Sequence, residues 1–296
     1  MSGTIRVEAQ AKINLRLKVL TLDESSFHAI ETVFLRLDLA DVVTVATYPG
    51  SGIAVDVSGH PALVMASGPA EQNLAARAAA AYCARADWHP RIEIRIDKVI
   101  PVGAGLGGGS ADGAAVLRAL DALAPSPLPG AELLSLAATI GSDVPFLAGK
   151  DVMAVGWGRG ERLMSLPALP PRPVILAVPP IHVSTRDAYG WLGRARGDAP
   201  ARPNIPGNAF TSWESAALHA ENDFFEAVAA RHPVIRRIRD SLLERGARIA
   251  MLTGSGSAVF GVFDAEPPAA EKSPAAEWEE IRTTTAAHVV PLRRMD

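Results

Sequence analysis

From Ile5 to Val19 every odd-numbered residue is apolar and every even-numbered residue is polar. A period of two predicts a strand with one face on a core and with Lys12 and Asn14 side by side on the other. Shorter strand patterns follow over 30–39, 42–47, 53–57 and 92–96, separated by turn residues such as Pro49, Gly50 and Gly52. Helical patterns cover 73–86 and 110–124, and a third, 131–140, is expected to stop at Gly141. Prolines crowd 167–180 around the apolar run 174–178, which marks a domain junction. Beyond it the pattern predicts helical stretches near 185–192 and 223–231 and a helix from Pro233 to before Gly246. Strands over 248–252 and 258–263 follow, then a charged, helix-like tail ending in a run near 288–292. Helices mixed with half-buried alternating strands indicate an α+β protein with two layers in each half.

Bulk properties narrow the function classes. The 296 residues, 48% hydrophobic, suffice for two ordinary domains. A net charge of −3 and only 5% aromatic residues argue against nucleic-acid binding. Cys83 is the single cysteine, which excludes an intramolecular disulfide and fits a reducing cytoplasm. With neither CxxC nor HExxH spacing, no protein-held zinc site is expected, and no apolar run has membrane-spanning length. The expected location is therefore the cytoplasm.

The densest chemical signal is PVGAGLGGGSADGAA, residues 101–115, with glycine at 103, 105, 107, 108, 109 and 113. Glycines between a strand and a helix let backbone N–H groups converge on an anion, and the helix expected to start at Ser110 adds its positive dipole end. The loop has neither Lys nor Arg, so backbone must supply most of its anion affinity. Its letters also satisfy the dinucleotide pattern GxGxxG, but the strand before it, RIEIRI, alternates, whereas a central parallel strand would be continuously apolar. A Walker loop is excluded because the sole Gly-Lys pair, Gly149-Lys150, is followed by Asp151. The HRD and DFG of protein kinases are missing. Taken singly, Lys12 and Asn14 read equally as a solvated sheet face, and Asp143 as the cap of the turn after Gly141.

Three segments in order, AKINL from Ala11, IPVGAGLGGGSADGAA from Ile100 and LTGSGSAVF from Leu252, resemble the signature motifs of the GHMP small-molecule kinases. That family takes its name from galactokinase, homoserine, mevalonate and phosphomevalonate kinases. The resemblance implies a two-domain α+β fold. Residues 1–168 would be the ATP-binding and catalytic domain, like domain 2 of ribosomal protein S5, and 169–296 a ferredoxin-like α/β sandwich that helps bind substrate. It implies ATP with Mg2+ as phosphoryl donor.

Residue by residue, the resemblance makes Asp143 the catalytic base and Lys12 the group that positions the reacting hydroxyl and stabilises developing charge. The nucleotide is expected on Pro101, Val102, Gly103, Ala104, Gly105, Leu106, Gly107, Gly108, Gly109 and Ser110, with Lys98 and Asn73 alongside. FHAIETVFLRLDLADVV from Phe27, IGSDVPFLAG from Ile140, GRGERL from Gly158 and VSTRDAYGWL from Val183 resemble the branch that phosphorylates a diphosphocytidyl sugar alcohol for isoprenoid synthesis. In that branch Phe27 and Tyr189 would stack on cytosine, His28 read its edge, and Asn14 and Thr185 complete the substrate site. The chain departs by reading ESSFH where that branch has DGYH, so Phe27 keeps a ring without its hydroxyl. Another GHMP kinase and a non-catalytic nucleotide-binding module are the alternative readings. The expected partners are the two substrates, with no nucleic acid or membrane, and the expected state is a monomer or weak dimer.

Overall fold

The alternating stretch forms one long strand, β1 (Gly3–Leu22), and the two strands expected after it are a single one, β2 (His28–Tyr48), antiparallel to β1. These assignments come from a computed structural model that describes residues 2–22, 28–69, 72–196, 203–267 and 277–295. Next come β3 (Gly52–Gly59), α1 (Pro61–Ala66), α2 (Leu74–Ala86) and β4 (Arg91–Lys98). The glycine loop leads into α3 (Gly108–Leu123), followed by α4 (Gly130–Ile140) and the short α5 (Val144–Ala148). A hairpin, β5 (Met153–Gly158) and β6 (Arg162–Leu166), precedes the proline-rich connection to β7 (Pro173–Val178). The rest comprises α6 (Thr185–Arg196), α7 (Trp213–His219), β8 (Glu221–Asn222), α8 (Phe224–Arg231), α9 (Val234–Glu244), β9 (Ile249–Leu252), β10 (Val259–Val262), β11 (Glu279–Thr284) and β12 (Arg293–Met295).

Two sheets organise these elements. One runs β12-β1-β2-β4-β3, with β5, β6 and β8 attached, and the other is antiparallel in the order β11-β7-β10-β9. The expected boundary at 168/169 falls between β6 and β7, where the chain changes sheet. Yet β8 and β12, from the second half, pair with β1 in the first sheet. The charged tail expected to be helical is instead strand β11 over its described part, because residues 279–284 extend the second sheet beside β7.

The half-buried face predicted for β1 is also corrected. Gln10, Lys12, Asn14 and Arg16 are all buried, since both faces of this strand are covered. Ile5, Val7 and Ala9 pack in the core beneath α2 and α3, whereas Ala11, Ile13 and Leu15 join Val174, Leu176 and Phe260 in a core shared with the second sheet. Between them, at Gln10 and Lys12, the register on β2 shifts, and such a bulge re-aims side chains. Lys12 consequently lies over Phe34, on the side of the first core, 5.9 Å from the ring centroid.

Candidate active site

Lys12 and Asn14 project from β1 into a cleft of about 280 Å3, whose wall includes Gly105, Ser110, Asp143, Arg159, Tyr189 and Ser255. The Lys12 ammonium donates to Asn14 Oδ1 at 2.8 Å and to the Gly105 carbonyl at 2.9 Å, and lies 3.3 Å from Asp143 Oδ2. Asp143 occupies the residue before α5 but makes no side-chain cap there, so the capping alternative falls away. Its carboxylate is more exposed than the lysine, 28% against 3%, which leaves it the reachable member of the pair. Asn14 is held from both sides. Its amide donates to Thr32 Oγ1 at 2.8 Å, and its Oδ1 accepts from Gly254 N at 3.0 Å.

The glycine loop is fixed by its carbonyls. Ala104 O accepts from Ala258 N, Gly105 O from Lys12 and Thr253, and Leu106 O from Lys12 N. Gly105 has φ +80°, and a Cβ there would stand 2.2 Å from Thr253 O, so only glycine fits. Gly107, also at positive φ, is the N-cap of α3 and lies against the Lys12 stem. The helix therefore begins at Gly108, two residues before the expected Ser110, because glycine already satisfies the left-handed cap. Ser110 is thus inside the first turn and is not the cap. It still reaches the cleft wall, near the free amides that a helix N-terminus leaves. Three left-handed glycines, 103, 105 and 107, and a 16-residue helix behind them form a cradle that side chains would fill, and this fits a nucleotide's phosphates.

Not every expected residue faces that cradle. Lys98 is buried beneath it, its ammonium 2.5 Å from Asp41 Oδ2 and 2.8 Å from Asp112 Oδ2. Desolvation works against its charge, but the two carboxylates outweigh it and raise its pKa. Asp41 also accepts from the amides of Val99 and Ile100, so this triad fixes the strand end from which the loop departs. One lysine cannot neutralise two carboxylates. Burial, opposed by Lys98 and reinforced by Asp41, pushes Asp112 up to about 7. Its Oδ1 has no hydrogen-bond partner among the described residues. Lys98 in this position supports the loop and is not free to contact a nucleotide. Asn73 is the N-cap of α2, accepting from Ala75 N at 2.9 Å.

At the other end of the cleft His28 and Tyr189 stack, with centroids 4.9 Å apart and planes inclined by 25°. Phe224 meets Tyr189 edge-on. Burial and the charge of Asp143 raise the Tyr189 pKa, which keeps its hydroxyl protonated. His28 and Tyr189 are brought together as expected, but a base between two rings needs about 7 Å, two contacts of about 3.5 Å. His28 covers that face of Tyr189, so it must swing aside for a base to stack there. Phe27 lies outside the described residues. Thr185 starts α6 and its hydroxyl sits 3.1 Å from that of Ser255, closing the rim.

Arg159 and Thr253 were given no role by the sequence, although both lie in segments that carried the resemblance. Arg159 sits in a tight turn between Gly158 and Gly160, both at positive φ, and lines the cleft. Lys98 had a readable signal: it continues the parity of Ile92, Ile94 and Ile96, which all face the core.

Fold and site together define a small-molecule kinase of the GHMP type. The family models described as GHMP kinases N terminal domain and GHMP kinases C terminal match residues 73–159 and 208–279, and the chain belongs to this family. Within it, the chain belongs to the 4-diphosphocytidyl-2-C-methyl-D-erythritol kinases. It is 38% identical to the protein of that name from Solibacter usitatus over 264 residues, 87% of this chain and 80% of the relative. It is 36% identical to that from Citrifermentans bemidjiense over 287 residues, 96% and 98% of the two chains. A crystal structure of 4-(cytidine 5'-diphospho)-2C-methyl-D-erythritol kinase superposes with a TM-score of 0.76 at 34% identity, covering 94% of this chain and 98% of that one. A homoserine kinase from Cytophaga hutchinsonii, at 16% identity and TM-score 0.67 over 99% and 97% of the two chains, shares the fold.

Proposed function

We propose that this cleft phosphorylates the 2-hydroxyl of 4-diphosphocytidyl-2-C-methyl-D-erythritol at the expense of ATP, giving the 2-phosphate and ADP for isoprenoid precursor synthesis. The observation that carries the reading is the Lys12–Asp143 pair, 3.3 Å apart beside the glycine cradle. Binding alone would require neither residue. Bound ATP, with magnesium accompanying it, supplies an electrophilic phosphoryl group with a good leaving group. The amides around 103–110 hold its phosphates, and their dipoles offset the charge that spreads over the oxygens.

Asp143 accepts the proton of the attacking hydroxyl at Oδ2. Lys12 orients that carboxylate and the hydroxyl, and it brings to the site the positive charge missing from the loop. Asn14, fixed by Thr32 and Gly254, holds Lys12 in register and offers a polar edge to the acceptor. Tyr189 and His28 form the cytidine end, with Thr185 at the rim, and Phe27 is the residue expected from the sequence to add a further ring. Residues 1–168 form the nucleotide-binding and catalytic unit, and 169–296 contribute Thr185, Tyr189 and the 253–257 turn. The protein acts in the cytoplasm.

ADP release with magnesium-ATP tests this reading, using the diphosphocytidyl alcohol, mevalonate and homoserine as separate acceptors. Turnover with the cytidyl compound alone is expected. Turnover with mevalonate or homoserine and none with the cytidyl compound would refute the substrate.

A further inference from the structure

A second, larger cavity of about 750 Å3 lies at the ends of α3 and α5 remote from the catalytic cleft, closed on one side by the chain leading into β12. Arg118, Lys150 and His288 give it cationic or titratable walls, Asp121 and Asp151 acidic ones, and Leu133, Leu166 and Leu292 an apolar surface. Arg118 lies ten residues into α3, roughly 15 Å along the helix from the glycine loop. A cavity of this size is in the range that holds a small organic ligand.

At its base Arg118 has no direct carboxylate partner among the described residues, although Asp121 and Asp151 also line the cavity. Arg118 donates to the Val290 carbonyl at 2.9 Å, and among the described residues no carboxylate pairs with it. Beside it Arg36 is 1% exposed and gives its donors to the carbonyls of Phe146, Leu147, Gly149 and Asp151, again without an ion pair among the described residues. Burial, then the charge of Arg118, lowers the Arg36 pKa to about 9, with Asp151 opposing. Burial lowers that of Arg118 as well. The other acid on the wall, Asp121, is engaged by the Tyr82 hydroxyl and the Leu128 amide. A buried guanidinium beside a half-buried one, neither in contact with a carboxylate among the described residues, is costly, and an anion at the half-buried one relieves that cost.

We propose that this cavity is a second ligand site, which takes a small phosphate or diphosphate ester. Its anionic head pairs with Arg118 and Lys150, and its short hydrocarbon body lies against Leu133, Leu166 and Leu292. The planar fork of Arg118 suits two phosphate oxygens, and Lys150 at the exposed rim adds a movable charge.

Isothermal titration calorimetry on the full chain tests the site, with n-pentyl diphosphate and inorganic diphosphate as probes. Both active-site positions are first filled with a non-hydrolysable ATP analogue, magnesium and the diphosphocytidyl alcohol. The expected result is saturable binding of one n-pentyl diphosphate per chain, tighter than inorganic diphosphate. Arg118→Gln and Lys150→Ala should each weaken it by about tenfold or more while the KM for ATP stays unchanged. Lys150 is exposed, so its variant keeps the test independent of folding. No saturation below about 10 mM, binding that vanishes once the active site is filled, no preference for the pentyl ester, or unchanged binding in both variants would overturn the proposal.

Discussion

The Nζ of Lys12 and the Oδ2 of Asp143 are 3.3 Å apart, although one sits in the middle of β1 and the other in the turn before α5. The lysine has two further acceptors, Asn14 and Gly105, so its position does not depend on the aspartate. Asp143, in contrast, is partly open to the cleft and is free of capping duty. A fixed cation beside a reachable carboxylate suits proton removal coupled to charge stabilisation.

Replacing Asp143→Asn keeps the shape of the side chain and removes its basicity. The kcat should fall by about 10²–10⁴-fold, with ATP binding nearly unchanged. Steady-state turnover together with calorimetric ATP affinity checks this. Near-normal kcat in the variant would rule out Asp143 as the base.

Gly105→Ala and Gly109→Ala should behave very differently. At Gly105 the new Cβ meets Thr253 O at 2.2 Å in a backbone of φ +80°, whereas at Gly109 it meets only Leu74 Cδ1 at an ordinary 3.7 Å. The first variant should lose about 2 kcal/mol or more and much of its nucleotide affinity, and the second should stay within about 0.5 kcal/mol of the parent. Thermal melts with and without ATP measure both. Equal melting temperatures would contradict the fit of the cradle.

Asp112 gives stability a pH dependence of definite sign. Its pKa rises from the ordinary 3.8 to about 7 on folding, so the native state holds more protons than the unfolded state between those values. This contribution is complete below about 4 and is lost as the pH rises through about 7. Asp112→Asn, neutral at every pH, should lack that loss. Thermal denaturation at intervals from about pH 5 to 8 should show the parent falling relative to the variant. Parallel curves would mean that the triad does not share a proton.

Tyr189→Ala should raise the KM for the cytidyl substrate by about 5- to 150-fold, corresponding to about 1–3 kcal/mol of base stacking, and leave that for ATP unchanged. His28→Ala, which uncovers the Tyr189 ring, separates stacking from edge recognition. A rise in KM for ATP in the tyrosine variant would move the base site elsewhere.

Much of the site was legible along the chain because it depends on local rules. Period-two alternation set Lys12 and Asn14 on one face of β1, and glycine spacing marked the phosphate loop. Parity along β4 even carried the burial of Lys98, which its charge concealed. Other features had no local signal. The tail reads as helix by composition but becomes β11 because an open edge of β7 accepts it. The unbroken alternation of β1 gives no hint that its apolar side chains serve successive cores, since that follows from the bulge at Gln10 and Lys12 and from what each face packs against.

The sequence by itself determined the kinds of groups available: a glycine loop without its own cation, a lysine on a strand, and an acid after a helix. Only the tertiary structure decided which cation serves which anion. Lys12 and Lys98 are both strand lysines close to the loop, yet one faces Asp143 in the cleft and the other lies between Asp41 and Asp112 beneath the floor. The physical reason is that charge pairing acts over a few ångströms, and those distances are set by sheet register and packing between residues far apart in the chain.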